Sequence, residues 1–151
     1  MVVNIGGRGG GKSYEGSKFV TIKAITEKKR VVVLRDEKTS ISDSILNEIK
    51  NRYIEINEKT NGYFDTIFDF NTHELKDKAT SNKLIFTKGF RASSNAKTAN
   101  LKSISDIDIS IIEEFEDITD EQAFNRFTDG IRNKDSLIFI NSNIPDMNHW
   151  F

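Results

Sequence analysis

A glycine-rich run close to the N-terminus contains the first residues that could do chemistry. The run consists of Gly6, Gly7, Arg8, Gly9, Gly10, Gly11, Lys12 and Ser13. It fits the pattern G-x-x-x-x-G-K-S/T, in which glycines let backbone N–H groups surround phosphate oxygens. Lys12 is expected to reach the β- and γ-phosphates, and the Ser13 hydroxyl is expected to bind Mg²⁺. We therefore predict a loop that binds ATP with Mg²⁺; the competing interpretation is a flexible glycine linker.

Two carboxylates follow an apolar run in the second half of the chain. Residues 109–112 are Ile-Ser-Ile-Ile, and Glu113 and Glu114 come next. The carboxyl ends of strands face the ligand in a doubly wound sheet, so these acids would point at the phosphates. This arrangement predicts a Walker B strand, with Glu113 holding Mg²⁺ directly or through water and Glu114 polarising the attacking water. Without the glycine-rich loop upstream, a solvated turn would be the simpler interpretation.

Weaker candidates lie elsewhere in the chain. Residues 137–143, Leu-Ile-Phe-Ile-Asn-Ser-Asn, end in side chains that can hydrogen-bond the γ-phosphate or its water, or that simply form a turn before Pro145. Arg8 would either contact the γ-phosphate or face solvent. Arg91, Lys97 and Lys102 flank a polar segment and would contact DNA or a neighbour's nucleotide, or only water.

Strands alternating with helices must hold these side chains in place. The expected strands cover residues 2–5, 30–35, 107–112 and 136–141, the first of them buried. The expected helices cover residues 13–27, a stretch from a cap at Ser40 or Ser42 to Asn61-Gly62, and residues 120–132 with Asp120 as cap. Apolar residues at 64–70 and 84–86 predict short antiparallel strands outside the parallel core. This order predicts an α/β fold of the P-loop class, with a mostly parallel sheet flanked by helices.

Composition sets wider limits. The chain has 151 residues, 36% of them hydrophobic, which is enough for one domain with one core. It contains no cysteine, so disulfides and thiolate metal sites are excluded. No run approaches the ~20 apolar residues that span a membrane, and no secretion signal is recognisable, so we expect a soluble cytoplasmic protein. The net charge of -1 gives no overall attraction to nucleic acid.

Taken together, the three motifs resemble those of the ATPase domain of phage terminase large subunits. GGRGGGKS resembles that family's Walker A loop, which commonly carries an early arginine, here Arg8. Lys102 and Ser103 resemble the Lys-Ser pair that precedes a Walker B strand ending in two glutamates. IFINSNIP resembles the coupling motif, with Ser142 and Asn143 at its polar positions. The resemblance covers nearly the whole chain.

The resemblance also implies roles and partners. Glu114 would be the catalytic carboxylate, Arg8 would act with Lys12 at the γ-phosphate, and Asn143 would link the nucleotide to DNA movement. The partners implied are double-stranded DNA, the portal, the small terminase subunit and further copies in a ring, in which Arg91 or Lys102 would reach the adjacent ATP. The place implied is the cytoplasm of a host cell, with a phage or prophage origin.

Two departures from the family pattern shape the expected domain organisation. The chain starts almost on the strand before the phosphate loop, and it stops just after the coupling motif. We therefore expect one P-loop ATPase domain at residues 1–151, a fragment or a remnant truncated before a nuclease domain. No further acidic cluster follows the coupling motif, so nuclease activity is not expected.

Two other functions share the first two motifs. One is a helicase or recombination-type ATPase, and the other is a nucleotide-binding module with little turnover alone. Turnover stimulated by DNA would indicate a motor, whereas binding without phosphate release would indicate the module.

Overall fold

The computed structural model describes residues 1–6, 11–35, 45–90, 106–144 and 149–150, apart from the side chain of Lys12. The strands are β1 (Val2–Ile5), β2 (Val31–Arg35), β3 (Phe68–Phe70), β4 (Glu74–Asp77), β5 (Lys83–Gly89), β6 (Ile109–Ile112) and β7 (Leu137–Ser142). The helices are α1 (Lys12–Glu27), α2 (Ile45–Lys59), α3 (Tyr63–Ile67) and α4 (Glu121–Gly130), and a 3₁₀ helix covers Phe115–Asp117.

All described strands form one seven-stranded sheet in the order β1-β7-β6-β2-β5-β4-β3. The first five strands of this order are mutually parallel, and β4 pairs antiparallel with both β5 and β3. The predicted α/β class with a mostly parallel sheet is therefore confirmed. The order also places β7 between β1, which enters the phosphate loop, and β6, which ends at the two glutamates.

The sheet buries both of its faces, which is why its central strands are continuously apolar. Val31 and Val33 of β2 pack on one face with α1 and α2, while Val32 and Leu34 pack on the other with α4 and the 3₁₀ helix. β6 divides in the same way, with Ile111 on the first face and Ile112 on the second. Packing on both faces fixes the register in which the strand ends meet at one edge.

Several local expectations from the sequence were wrong. The first strand was expected to be buried, but β1 is an edge strand of the described sheet, and its Val2, Val3 and Ile5 are 39%, 37% and 53% exposed. Residues 84–86 lie in β5, which pairs antiparallel with β4 as expected but also pairs parallel with β2, so it belongs to the parallel core rather than outside it. The alternating residues at 64–67 lie in helix α3, because apolar side chains separated by three positions also suit a helical turn. Ser40, Ser42 and the polar segment 93–102 lie outside the described residues.

Asp120 caps α4, as the sequence predicts, and this contact gives a test of the local fold. Its side chain accepts a hydrogen bond from the backbone N–H of Ala123 at 2.9 Å. Asp120→Ala should lower the free energy of unfolding by about 1 kcal/mol, because a helix N–H loses its acceptor. Asp120→Asn keeps an acceptor oxygen and should cost little. Urea denaturation measures both, with Asp129→Asn on the exposed side of α4 as control; equal losses for the Ala and Asn variants would contradict the cap.

Candidate functional site

The carboxyl ends of β1, β7, β6 and β2 meet at one edge of the sheet. The backbone N–H of Gly6, which follows β1, donates to the carbonyl of Ser142 at the end of β7 at 3.2 Å. On the other side of β7, Ile140 is paired with Ile112, the last residue of β6. The residues that follow these strands are therefore brought together at the edge where doubly wound sheets bind ligands.

The phosphate loop enters α1 through a glycine that the backbone requires. Gly11 has φ 74°, in the left-handed region, and it immediately precedes Lys12, the first residue of α1. The backbone N–H of Glu15 donates to the Gly11 carbonyl at 3.1 Å, which closes the first helical turn. Residues 7–10, including Arg8, and the Lys12 side chain lie outside the described part of the chain. The described ends, Gly6 and Gly11, place the loop between β1 and α1, at a helix N-terminus suited to anions.

Glu113 is the buried carboxylate of the site, at 8% exposure. The hydroxyl of Ser13 donates to its Oε2 at 3.3 Å, and the side-chain amide of Asn141 donates to its Oε1 at 2.6 Å. Burial raises the pKa of Glu113 above its usual value, although these two hydrogen bonds oppose the shift. The structure thus brings together the two residues that the sequence assigned to Mg²⁺.

A hydroxyl and a carboxylate are oxygen donors of the kind that Mg²⁺ binds together with phosphate and water. The structure describes no cluster of three or more His, Asp or Glu side chains that could hold a metal by themselves. Ser13 and Glu113 fit two positions of a Mg²⁺ shell whose other ligands are phosphate and water.

Asn141 was not assigned a site role from the sequence. It connects β1 and β6, the strands on either side of β7. Its side-chain N–H donates to Glu113, which follows β6, and its Oδ1 accepts from the Asn4 side chain on β1 at 3.1 Å. The signal available in the sequence was an amide at the end of an apolar strand. Its hydrogen-bond partners could not be predicted from the sequence, because they depend on β7 lying between β1 and β6.

Glu114 points away from Glu113, toward the end of β2. Its backbone is left-handed, with φ 50°, and its carboxylate forms an ion pair with Arg35, the last residue of β2. The side chain of Glu114 is 39% exposed and that of Arg35 is 14% exposed. Arg35 was not predicted as a site residue, although a charged residue that ends a central apolar strand was a visible signal.

Ser142 and Asn143 at the end of β7 contact Glu116 in the 3₁₀ helix. Glu116 Oε2 accepts from the Ser142 hydroxyl and from the backbone N–H of Asn143, both at 3.0 Å. Glu116 Oε1 accepts from the side-chain amide of Asn143. Partial burial would raise the pKa of Glu116, but hydrogen bonds from its own backbone and from Ser142 and Asn143 lower it below the usual value.

The end of the described chain packs over this turn. The ring of Trp150 packs against Phe115 and Phe124, and its indole N–H donates to the carbonyl of Ile118 at 2.7 Å. Arg91, Lys97, Lys102 and Ser103 lie outside the described residues, and so does Phe151.

The sheet order, the loop between β1 and α1, and the acidic end of β6 define a nucleotide-binding α/β domain of the P-loop fold. A family model for the phage terminase large subunit matches residues 1–151. The chain therefore belongs to the phage terminase large subunit family, and this membership does not favour a helicase or a binding module without turnover. No curated protein matches the sequence.

Solved structures with the same fold are ATPase domains or larger parts of packaging motors. The large terminase of a thermophilic bacteriophage has a TM-score of 0.67 and 13% identity, and the match covers 99% of this chain and 35% of that one. The ATPase domain of the Thermus phage P74-26 large terminase gives 0.64 and 12%, covering 99% and 61%. The N-terminal domain of the bacteriophage phi29 DNA packaging ATPase gives 0.63 and 15%, covering 99% and 77%. This chain spans about a third of the length of the first of these.

The Asn141 contact predicts a pH-dependent loss of stability. Burial holds the pKa of Glu113 above its unfolded value, so ionised Glu113 destabilises the fold once the pH exceeds that unfolded value. Asn141→Leu removes a hydrogen bond that favours the ionised form and should raise this pKa further. The free energy of unfolding should fall by about 1 to 3 kcal/mol near neutral pH, and by less at acidic pH, where Glu113 is protonated.

Urea denaturation at a series of pH values measures this difference. In a Glu113→Gln background, Asn141→Leu should cost the same amount at every pH. A loss independent of pH in the parent background as well would show that Asn141 does not stabilise the Glu113 carboxylate.

Proposed function

We propose that this chain is the ATP-binding and ATP-hydrolysing motor domain of a phage DNA-packaging terminase. The observation that carries the proposal is the contact between Ser13 of the phosphate loop and the buried Glu113, 100 residues apart in sequence. Phosphate loops and Walker B carboxylates act together only when they share the β- and γ-phosphate region. Membership of the terminase large subunit family supports packaging as the work that this hydrolysis drives.

Binding of the triphosphate would rest on the glycine-rich loop. Backbone N–H groups of Gly7, Gly9, Gly10 and Gly11 would surround the phosphates at the start of α1, with the Lys12 ammonium on the β- and γ-phosphates, while Gly6 would hold the start of the loop through its bond to Ser142. Arg8 would add a second cation at the γ-phosphate. Mg²⁺, held by Ser13 and Glu113, would neutralise charge that builds up on the phosphate oxygens.

Hydrolysis would use Glu114 as the group that orients and polarises the attacking water. Its ion pair with Arg35 fixes where this carboxylate lies when no γ-phosphate is near it. Asn143, one strand away, would contact the γ-phosphate or its water and pass the change at the nucleotide on to the rest of the motor.

The partners proposed are double-stranded DNA, the portal, the small terminase subunit and further copies of the chain in a ring. Their support is the family and the neighbouring folds, among them a phi29 domain described as a DNA packaging ATPase. The work would take place in the host cytoplasm. Among the described residues, no helix is long and apolar enough to cross a membrane.

Lys12→Ala tests nucleotide binding. The variant should weaken MgATP binding by roughly 2 to 5 kcal/mol, because the triphosphate loses a desolvated cationic partner. Isothermal titration calorimetry measures the affinity. Lys18→Ala removes an exposed lysine from the same helix and should leave binding as in the parent. Equal affinities for Lys12→Ala and the parent would refute the phosphate loop.

Glu114→Gln tests hydrolysis separately. The amide keeps the shape of the side chain but cannot take a proton from water, so phosphate release should fall by about 10²-fold or more while MgATP affinity stays the same. Glu113→Gln should instead raise the Mg²⁺ concentration needed for binding. Asp117 is an exposed acid in the 3₁₀ helix that follows Glu114, so Asp117→Asn is the matched control and should hydrolyse ATP like the parent. Parent-like turnover by Glu114→Gln would remove it from the catalytic role.

A further inference from the structure

Glu116 accepts three hydrogen bonds from the end of β7, and the motifs assign no role to it. Two come from Asn143, through its backbone N–H and its side-chain amide, and the third comes from the Ser142 hydroxyl, whose single proton can also be donated to the Asn143 carbonyl at 2.8 Å. An ionised carboxylate can only accept hydrogen bonds, so Glu116 determines that the NH₂ side of the Asn143 amide faces it.

Glu116 and Glu114 belong to one short turn that is anchored in the core. The backbone N–H of Asp117 donates to the Glu114 carbonyl at 2.9 Å, and that of Ile118 donates to the Phe115 carbonyl at 3.0 Å. The Phe115 side chain between the two acids is fully buried, 5.3 Å from the rings of both Phe124 and Trp150. A turn anchored in this way holds Glu114 and Glu116 in a fixed relation to each other, because the Phe115 side chain between them cannot shift without disturbing close-packed rings.

The geometry points to Glu116 as a positioning residue that ties the end of β7 to the turn carrying Glu114. A displacement of Glu114 toward or away from a γ-phosphate moves Glu116 with it, and Glu116 moves Ser142 and Asn143. Its hydrogen bonds are charge-assisted, and such bonds are stronger than neutral ones. This inference rests on the proposed function, since it assigns a further residue to the same reaction.

Exchanging donor and acceptor tests the contact itself. Glu116→Gln places an NH₂ group against the donors of Asn143 and should lower the urea midpoint, and Asn143→Asp should lower it by setting two carboxylates face to face. The double variant restores a match with the polarity reversed, so Glu116→Gln should raise the midpoint in the Asn143→Asp background. Asp117→Asn should have the same small effect in both backgrounds. A Glu116→Gln effect of one sign in both backgrounds would overturn the contact.

The response to nucleotide tests the positioning role, because a residue with only a structural role would not change how Ser142 and Asn143 respond to nucleotide. In the ¹⁵N-labelled parent, a non-hydrolysable ATP analogue with Mg²⁺ should shift the NMR signals of Ser13 and of Ser142 and Asn143. In Glu116→Gln the Ser13 shift should remain and the Ser142 and Asn143 shifts should be largely lost. For ATP hydrolysis by this variant, kcat should fall roughly tenfold or more with KM unchanged, as expected when a reacting group is misplaced.

The outcomes separate this inference from the proposed function. If the parent binds no analogue, the proposed function fails and the inference fails with it. If the parent binds and Glu116→Gln matches it in the Ser142 and Asn143 shifts and in kcat, the inference alone is overturned. If Glu116→Gln does not fold, the double variant of Glu116→Gln and Asn143→Asp is measured instead. NMR signals of residues 142 and 143 that no longer respond to the bound analogue in this variant would overturn the positioning role.

Discussion

The fold at the nucleotide edge depends on keeping the carboxylate of Glu113 out of water without leaving it unpaired. A buried carboxylate is costly unless hydrogen-bond donors surround it. Its donors come from the start of α1, through Ser13, and from the end of β7, through Asn141, which in turn accepts from Asn4 on β1. The positions of α1, β1, β6 and β7 are thereby linked through one charged group. A shift of any of them would remove a donor that ionised Glu113 requires.

The left-handed backbone of Glu114 ends the strand, and the four consecutive side chains of residues 113–116 make contacts in four different parts of the structure. Glu113 still follows the strand and faces β7, whereas Glu114, at φ 50°, ends the extended run and turns toward Arg35. Phe115 then enters the core beneath the sheet, and Glu116 returns to the end of β7. A straight strand would place alternate residues on opposite faces and could not supply this set of contacts. The non-glycine left-handed residue is tolerated where the surrounding packing determines its conformation.

The sequence was informative where the chemistry is local and less informative where it depends on strand order. The β6 strand and the Asp120 cap could be predicted from spacing, because each involves residues close together in the chain. The exposure of β1, the parallel pairing of β5 and the position of β7 between β1 and β6 depend on which strands become neighbours. Arg35 and Glu116 were missed for the same reason. Each is an ordinary charged residue in sequence, and each becomes notable only beside the glutamate turn or the end of β7.

The Ser13 hydroxyl shows why this site suits a cation in addition to phosphate. In the structure it donates its proton to Glu113, and its oxygen keeps lone pairs that a cation could use. Under the proposed function, Ser13 and Glu113 would hold Mg²⁺, directly or through water, and Ser13 could keep its hydrogen bond to the carboxylate. The cation would also offset the burial that holds the pKa of Glu113 high. If Glu113 holds this cation, the cation would offset the cost of burying the carboxylate, so binding of nucleotide with Mg²⁺ should stabilise the same arrangement of α1, β6 and β7 that creates the site.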